Sequence, residues 1–329
     1  MVLAAAVEPN PARAADTTAK YGIPVFASVE EFLRADLGVH AVSVAVPTLH
    51  HHSVAAQLLD AGLDLLIEKP LAADLEEADD LIRRAEQGKR IVQVGHLERF
   101  NPAVLAVQPR LKRPMFFEAH RLSVFTPRSL DVDVVLDLMI HDLDIVLTFA
   151  HSAVREVRAV GLPILSPKVD IANVRVEFES GCVANFTASR VSTERVRKLR
   201  FFEPRQYVSI DYARRDLLVI KLDAEVPGTL PPEIAAMLAS GKADPAMLAQ
   251  LVAASGHPSP GLSFVKPKVP PGEPLRLEIE SFLDSVRTRR EPRVTARQGR
   301  DALALALEIQ STMVAHAHRA GLQNFFESS

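Results

Sequence analysis

The first 95 residues alternate short apolar runs with amphipathic segments, and this alternation constrains the fold more than any other feature. The runs predict strands at 2–7, 41–46, 63–67 and 91–94, with a weaker strand at 25–26. A strand that is apolar on both faces needs a cover on both sides, as in parallel sheets flanked by helices. The pattern therefore predicts an α/β domain built on a doubly wound, Rossmann-type parallel sheet.

Helix-capping signals mark the segments between these strands. Ser28-Val-Glu-Glu31 and Asp74-Leu-Glu-Glu77 have the spacing of capping boxes, in which two residues satisfy free backbone N–H groups reciprocally. Gly62 and Gly88 stand where helices should end in a left-handed residue.

After Gly95 the pattern changes, and most of the predicted elements are strands. Helices are predicted near 102–111 and at 134–149, with a strand at 115–125. Six further runs have strand character, at 154–160, 171–177, 183–189, 196–202, 207–211 and 217–222. Runs of strands after an α/β half predict a second, α+β domain with a mostly antiparallel sheet.

The C-terminal third completes the predicted domain division. The segment 223–260, rich in Pro, Ala and Gly, is interpreted as an excursion from the sheet, and final helices are predicted at 274–286 and 295–318. We expect the first domain to cover 1–97 and the second 98–329, with the C-terminal helix packing back on the first. A length of 329 residues also favours two domains, because one core rarely exceeds roughly 300 residues.

Composition excludes several functional classes. A net charge of −3 and 5% aromatic residues without Trp argue against a nucleic-acid-binding surface. No apolar run approaches the roughly 18 residues of a membrane span, and the start, Met-Val-Leu-Ala-Ala-Ala-Val-Glu, has no basic segment typical of a secretory signal, so we predict a soluble, cytoplasmic protein. Cys182 is the only cysteine, which excludes an internal disulfide and a multi-thiolate zinc site.

Glycines are scarce where a nucleotide-binding α/β domain needs them. The chain has 14, and no two are closer than Gly256 and Gly261, so it contains no Gly-x-Gly. That pair has P-loop spacing, but Leu262 and Ser263 follow it in place of Lys and Ser or Thr, and we interpret it as chance.

Glu8, at the end of the first predicted strand, bears on this shortage. In a dinucleotide-binding fold an acidic residue ending the second strand accepts hydrogen bonds from the adenosine ribose. If Glu8 has that role, the chain lacks the first strand, the glycine loop and the first helix, roughly 25 to 30 residues. We favour a misplaced start over a real loss. An exposed carboxylate at a strand end is an equally good interpretation of Glu8 alone.

Polar residues follow two predicted strands, at the edge where open α/β sheets bind ligands. Pro47-Thr48-Leu49-His50-His51-His52 follows the strand at 41–46. Consecutive histidines fan outward and cannot all reach one metal ion, so a solvated helix start is the better interpretation of His50 and His52. Glu68-Lys69-Pro70 follows the strand at 63–67, and a partly desolvated lysine there could act as an acid or base. A surface ion pair is the alternative.

Another candidate lies on the predicted helix at 134–149. Asp137, His141 and Asp144, at i, i+4 and i+7, share one helical face. A carboxylate that fixes an imidazole tautomer suits a proton-transfer site, although an ordinary Asp–His pair is the alternative. A weaker hypothesis is a metal-dependent lyase or hydrolase using His51, His141 and Asp144.

These motifs, in this order, resemble the Gfo/Idh/MocA family of NAD(P)-dependent sugar oxidoreductases over nearly the whole chain. The resemblance is carried by Pro47-Thr48-x-x-His51, Glu68-Lys69-Pro70, Gly95-His-Leu-Glu-Arg99-Phe-Asn-Pro102 and Asp137-x-x-x-His141-Asp-Leu-Asp144. It implies a Rossmann domain followed by a domain whose open sheet supports homodimers or homotetramers. It also implies NAD as the cofactor, because Glu8 would repel the 2′-phosphate of NADP, although the nearby Arg13 keeps NADP open.

The resemblance also implies roles for individual residues. Lys69 would be the catalytic lysine, His141 the proton acceptor and Asp137 its neighbour in the sugar pocket. The residues expected to line the dinucleotide are Glu8, Pro47, Thr48, His51, Glu68 and Lys69. Those expected near the sugar are Arg99, Asn101, Asp137 and His141.

The segments 95–102 and 134–144 are most similar to UDP-N-acetylglucosamine 3-dehydrogenases, which oxidise the sugar 3-hydroxyl before amination in lipid A synthesis. The absent glycine loop motivates an alternative, a noncatalytic paralogue that binds no dinucleotide.

Overall fold

A computed structural model describes residues 2–126, 132–222 and 262–322. The chain divides into two compact units. The first contains Met1–Phe100 and Glu273–Glu308, and the second contains Asn101–Gly272 and Ile309–Ser329. Within the described residues, no helix has the length and apolar character needed to cross a membrane.

The first unit is a parallel α/β structure, as the sequence predicts. Its strands are β1 (Ala6–Val7), β2 (Val25–Phe26), β3 (Ala41–Val44), β4 (Asp64–Glu68) and β5 (Val92–Gly95). Its first helices are α1 (Pro11–Tyr21), α2 (Val29–Arg34), α3 (His51–Asp60) and α4 (Leu75–Gly88). β1 pairs with β2, and β3, β4 and β5 form a separate three-stranded sheet in that order.

The strand predicted at 2–7 is shorter in the structure. Only Ala6 and Val7 form β1, and Val2 and Leu3 are 88% and 58% exposed. Among the described residues β1 has a hydrogen-bonded neighbour on one side only, β2. A single neighbour leaves one backbone edge open, which limits how far the ladder extends.

Capping interactions confirm most of the predicted helix boundaries. The Ser28 hydroxyl accepts from the Glu31 N–H at 3.2 Å, and the Asp74 carboxylate accepts from the Glu77 N–H at 2.9 Å. Gly62 is left-handed, with φ of 81°. The expectation for Gly88 is wrong, because α4 continues through it and Lys89 takes the left-handed conformation, with φ of 52°.

Side-chain packing gives the physical reason why Gly88 stays in the helix. A Cβ at this position would lie 3.3 Å from Cγ of Arg90, and the Arg90 Nε donates to the Gly88 carbonyl at 2.7 Å. The glycine therefore makes room for an arginine that folds back on the helix end.

The second unit contains an eight-stranded sheet in which only β6 and β9 pair in parallel, so the mostly antiparallel prediction is confirmed. Its strands are β6 (Phe116–Leu122), β7 (Val154–Leu162), β8 (Ile171–Phe178), β9 (Val183–Ser189), β10 (Val196–Glu203), β11 (Gln206–Asp211), β12 (Asp216–Leu222) and β13 (Leu262–Val265). The order across the sheet is β13-β12-β11-β10-β6-β9-β8-β7. The predicted excursion at 223–260 lies outside the described residues.

Helices cover one face of this sheet. They are α5 (Pro102–Val107) and α6 (Ile140–Ala150), the latter preceded by a π-helical turn at Val135–Met139. Phe149 of α6 packs edge-on against Phe201 of β10 at 5.5 Å between ring centroids, and Phe117 of β6 lies 5.3 Å from Phe201. Cys182 is buried just before β9, and burial raises the pKa of its thiol to about 11.

The last two helices are α7 (Pro274–Thr288) and α8 (Ala296–Arg319). The predicted capping box at the start of α8 is present, since Thr295 and Gln298 exchange two hydrogen bonds of 3.1 Å. α7 packs in the first unit, where the Gln93 side chain of β5 donates to the Glu278 carbonyl at 3.1 Å.

Glu278 is a carboxyl group buried inside the first unit, with 1% of its surface exposed. In the described part of the chain its Oε1 has no hydrogen-bond partner. Burial first, and then the negative charges of Glu68 and Glu273, raise the pKa of Glu278 from 4.5 to about 8. The side chain therefore carries a proton at neutral pH.

This burial predicts a pH dependence of stability that Glu278→Gln should remove. Between pH 4.5 and about 8 the folded chain keeps a proton that the unfolded chain has released. The stabilisation that Glu278 contributes to the folded chain is therefore complete below pH 4.5 and is lost as pH rises through 8. Urea unfolding at several pH values should show the free energy of unfolding of the variant rising relative to that of the parent, by several kcal/mol between pH 4.5 and about 8.

The matched control is Glu280→Gln, on the same helix but half-exposed beside Arg276. The free energy of unfolding of this control should differ from that of the parent by the same amount throughout the pH range. If the free energy of unfolding of Glu278→Gln differed from that of the parent by the same amount at every pH, Glu278 would not be protonated in the folded chain.

Candidate functional site

The turns that follow β3 and β4 lie at one edge of the first unit's sheet. The parallel register pairs Val44 with Ile67 and Glu68 with Gly95, so the carboxyl ends of β3, β4 and β5 are adjacent. Ligands of open parallel sheets bind at this edge, because loops there have freedom to carry polar side chains.

The Glu68-Lys69-Pro70 turn is partly shielded from solvent. Lys69 is half-buried, and Pro70 and Leu71 are buried. The backbone at Gly95 approaches closely, since a Cβ there would lie 3.0 Å from Oε2 of Glu68. Gly95 therefore leaves room for the Glu68 carboxylate, and Lys69 has the partial desolvation that the sequence predicts.

His51 lies between this turn and the turn after β3. Its ring is 1% exposed, with Nδ1 2.8 Å from the Pro70 carbonyl oxygen and Nε2 2.9 Å from the Val46 carbonyl oxygen. Both ring nitrogens are therefore engaged by the protein backbone. This leaves no free nitrogen lone pair for a metal, which removes one ligand from the metal-dependent hypothesis.

The neighbouring histidines differ from one another. His50 is exposed, in line with a solvated helix start. That interpretation is wrong for His52, whose Nε2 lies 2.8 Å from the Asp80 carboxylate of α4. Hydrogen bonds from Arg84 and then His52 lower the pKa of Asp80 to about 2, so His52 is part of an ion-pair network between α3 and α4.

Glu8 follows β1 directly and is half-buried. Its carboxylate accepts from the Asn10 N–H at 2.8 Å, and the Asn10 side chain caps α1 by accepting from the Ala12 and Arg13 N–H groups. The carboxylate therefore lies at a helix N-terminus, where negative charge is favoured. Arg13 is exposed on the first turn of α1.

Arg99 and Asn101 are both buried and hydrogen-bonded to backbone groups. Arg99 is 6% exposed and donates to the Arg293 carbonyl at 3.0 Å. Asn101 caps α5 by accepting from the Ala103 N–H at 3.1 Å, and its amide donates to the Tyr212 carbonyl at 3.1 Å. The Asn-Pro pair that opens a helix is a sequence signal for this cap.

In the second unit, Asp137 and His141 lie at the start of α6 and are half-buried. The predicted continuous α-helix is wrong over 135–139, where the backbone forms a π turn closed by the Ile140 N–H and the Val135 carbonyl. Such turns insert a residue and are frequent at functional sites. Asp144 is buried, unlike the other two members of the predicted trio.

Sequence reasoning assigned no role to Asp142, which anchors this region. The Arg121 guanidinium of β6 donates to both Asp142 oxygens, at 2.7 and 3.0 Å, and both side chains are buried. The guanidinium also lies 5.1 Å from the Tyr212 ring centroid. The pair fixes α6 to the sheet immediately beside His141. Asp142 is part of the motif, but a partner 21 residues away leaves no sequence signal.

The described side chains include groups of the types that transfer protons. No group of three or more His, Cys, Asp or Glu residues in the described ranges is arranged to hold a metal ion. The first unit offers a half-buried lysine beside a carboxylate, and the second a half-buried histidine with an aspartate one turn earlier. Both are groups that act as acids and bases near neutral pH.

Two models of protein families match this chain. Residues 1–96 match the model of an oxidoreductase family with an NAD-binding Rossmann fold. Residues 103–205 match the GFO/IDH/MocA C-terminal domain.

Two curated relatives are named as dehydrogenases. A UDP-N-acetylglucosamine 3-dehydrogenase from Acidithiobacillus ferrooxidans is 34% identical over 318 residues, which cover 96% of this chain and 91% of the relative. A scyllo-inositol 2-dehydrogenase (NAD(+)) from Bacillus subtilis is 26% identical over 200 residues, covering 56% of this chain and 58% of the relative.

Solved structures show the same fold. The structure of the Acidithiobacillus ferrooxidans enzyme covers 94% of this chain and 89% of its own, with a TM-score of 0.80 at 34% identity. A levoglucosan dehydrogenase in complex with NADH has a TM-score of 0.77 at 16% identity, covering 95% of this chain and 88% of its own. The chain therefore belongs to the GFO/IDH/MocA family of NAD-dependent oxidoreductases that act on CH–OH groups.

Proposed function

We propose that this oxidoreductase oxidises a ring hydroxyl of a sugar or nucleotide sugar, with the 3-hydroxyl of UDP-N-acetylglucosamine as the leading candidate. The observation that carries the proposal is the half-buried Lys69 at the carboxyl end of β4, in a domain of an NAD-binding family. The candidate substrate is taken from the name of the relative that is 34% identical.

Residues that follow β1, β3 and β4 would bind part of the dinucleotide. Glu8 would accept hydrogen bonds from the adenosine ribose and would repel a 2′-phosphate, which favours NAD over NADP. The turns containing Pro47, Thr48 and Glu68 would line the rest, with His51 supporting them from behind. When bound, NAD supplies the hydride acceptor. No glycine turn for the pyrophosphate is present in the sequence.

Alcohol oxidation removes a hydride from carbon and a proton from oxygen, and this chain's side chains handle the proton. In the proposed reaction Lys69 contacts the sugar hydroxyl, His141 accepts its proton, and Asp137 holds the imidazole in the receptive tautomer. Arg99 and Asn101 would shape the sugar pocket through the backbone segments that they fix. Asp142 positions His141 through its bond to Arg121.

The rival hypothesis, a noncatalytic module, is not favoured, because the relatives are named as dehydrogenases. NAD binding tests this rival directly, because the 329 residues contain no Gly-x-Gly. We therefore define the extended chain as these 329 residues preceded by a strand, a Gly-x-Gly-x-x-Gly turn and a helix. NAD binding that strengthens in the extended chain supports the dehydrogenase proposal, whereas no binding in either protein supports the rival.

The first prediction from this proposal concerns Lys69. Lys69→Ala in the extended chain should lower kcat for oxidation of UDP-N-acetylglucosamine by about 10²- to 10⁴-fold, because it removes a group acting on the reacting hydroxyl. The Kd for NAD should change little. Steady-state kinetics and calorimetric titration measure the two quantities.

Lys20→Ala, at an exposed lysine of α1, is the matched control and should leave both quantities unchanged. A Lys69→Ala protein that oxidises the sugar at the parental rate would rule out the role assigned to Lys69.

We also propose that the chain forms a homodimer or homotetramer through the face of the eight-stranded sheet opposite the one that α5 and α6 cover. This face carries a cluster of half-exposed aromatic rings, in which Phe202 lies 5.2 Å from both Phe116 and Tyr207. Phe117 and Phe201, one position along each strand, are buried on the opposite face. Aromatic residues that stay accessible on a sheet face are typical of protein interfaces.

This proposal predicts that Tyr207→Arg dissociates the oligomer, because a charge would be buried at the centre of the contact. Tyr21→Arg, at a 54% exposed tyrosine of α1, is the matched control and should leave the assembly intact. Sedimentation velocity measures the mass of both variants. A monomeric parent, or a Tyr207→Arg protein with the parent's mass, would count against this interface.

A further inference from the structure

The His51 ring joins two segments of backbone that carry different parts of the proposed site. Nδ1 lies 2.8 Å from the Pro70 carbonyl oxygen, directly after Lys69, and Nε2 lies 2.9 Å from the Val46 carbonyl oxygen, directly before Pro47. The ring is 1% exposed, so water does not compete for either nitrogen. It is the side chain that connects the turn after β3 to the turn after β4.

Both partners of the ring are acceptors only. A backbone carbonyl has no hydrogen to donate, and a neutral imidazole has one N–H and one lone pair. In the neutral ring, one nitrogen lone pair would face a carbonyl oxygen at under 3 Å, which is repulsive. Two hydrogen bonds of this length require a proton on each nitrogen, and hence a positively charged ring.

Two features of the surroundings oppose that charge. The ring is removed from water, and His51 is the first residue of α3, where the helix dipole disfavours a cation. The charged side chains on elements packed against α3 include Glu68 and Lys69 after β4, Asp80 and Arg84 on α4, and Glu31 and Arg34 on α2. Asp80 is hydrogen-bonded to His52.

We propose that His51 is a positioning residue for Lys69, acting as a doubly protonated ring that donates to the Pro70 and Val46 carbonyls and so fixes the separation of the two turns. This role rests on the function proposed above for Lys69. Loss of one proton replaces one hydrogen bond by a repulsive contact, and the Lys69 turn is then released from β3. The protonation state of His51 therefore controls how rigidly Lys69 is held.

The proposal makes a direct spectroscopic prediction about the 329-residue chain. In the ¹⁵N-labelled protein, two-dimensional imidazole spectra at pH 7 should show both His51 nitrogens protonated. Raising the pH should convert the ring to a single tautomer. Amide hydrogen exchange in the segment 69–73 should accelerate over the same pH interval.

Variants test the positioning role separately from the charge. In His51→Gln the amides of 69–73 should exchange about tenfold faster or more at pH 7, because hydrogen bonds to a charged donor are lost. In His50→Gln their exchange should match the parent. If His51→Gln does not fold, the pH titration of the parent still provides the test.

Each result has a definite consequence. A neutral His51 with a single tautomer from pH 6 to 8 would overturn the proposal, as would unchanged exchange of 69–73 in His51→Gln. These measurements need no cofactor or substrate. A charged His51 in a protein whose extended form does not oxidise any sugar would therefore leave the positioning role standing and remove only the proposed function.

Discussion

The parallel pairing of β3, β4 and β5 is the constraint on which the candidate site depends. The ladder places Glu68 beside Gly95 and Val44 beside Ile67, so the polar turns that follow the strands reach the same edge. β4 is buried along Asp64–Ile67, so its end cannot shift without exposing apolar side chains. Lys69 therefore projects from a rigid support, which a positioned acid or base requires.

Local sequence patterns predicted most of the elements, because periodicity and capping act over a few residues. The predicted strand 183–189 coincides with β9, and Thr295 and Gln298 form their capping box. Most of the failures depend on distant partners or on backbone geometry, although Gly88 stays in its helix beside Arg90, only two residues away. The Pro70 carbonyl that binds His51 is 19 residues away from it, and the Asp142 partner is 21 away. The π turn before α6 leaves no signature in the apolar pattern.

Two buried ionisable side chains interact with residues of the turn that carries Lys69. The charge of Glu68, which begins the turn, raises the pKa of the buried Glu278, and His51 engages the carbonyl of Pro70, which ends it. Under the proposal for His51, residues of this turn interact with a cation and with an acid that is uncharged at neutral pH. A buried carboxyl group with a raised pKa beside this turn supports the role proposed for Lys69, because such groups cluster at functional sites.

The most direct test of the account traces the hydrogen on C3 of the sugar. The extended chain is incubated with NAD and UDP-N-acetylglucosamine deuterated at C3, and the NADH formed is examined by mass spectrometry. The account predicts that NADH carries the deuterium, because the hydride comes from the carbon whose hydroxyl loses its proton to the protein. NADH without deuterium would contradict oxidation at C3, and no NADH at all, from this or any other sugar, would contradict the proposed function.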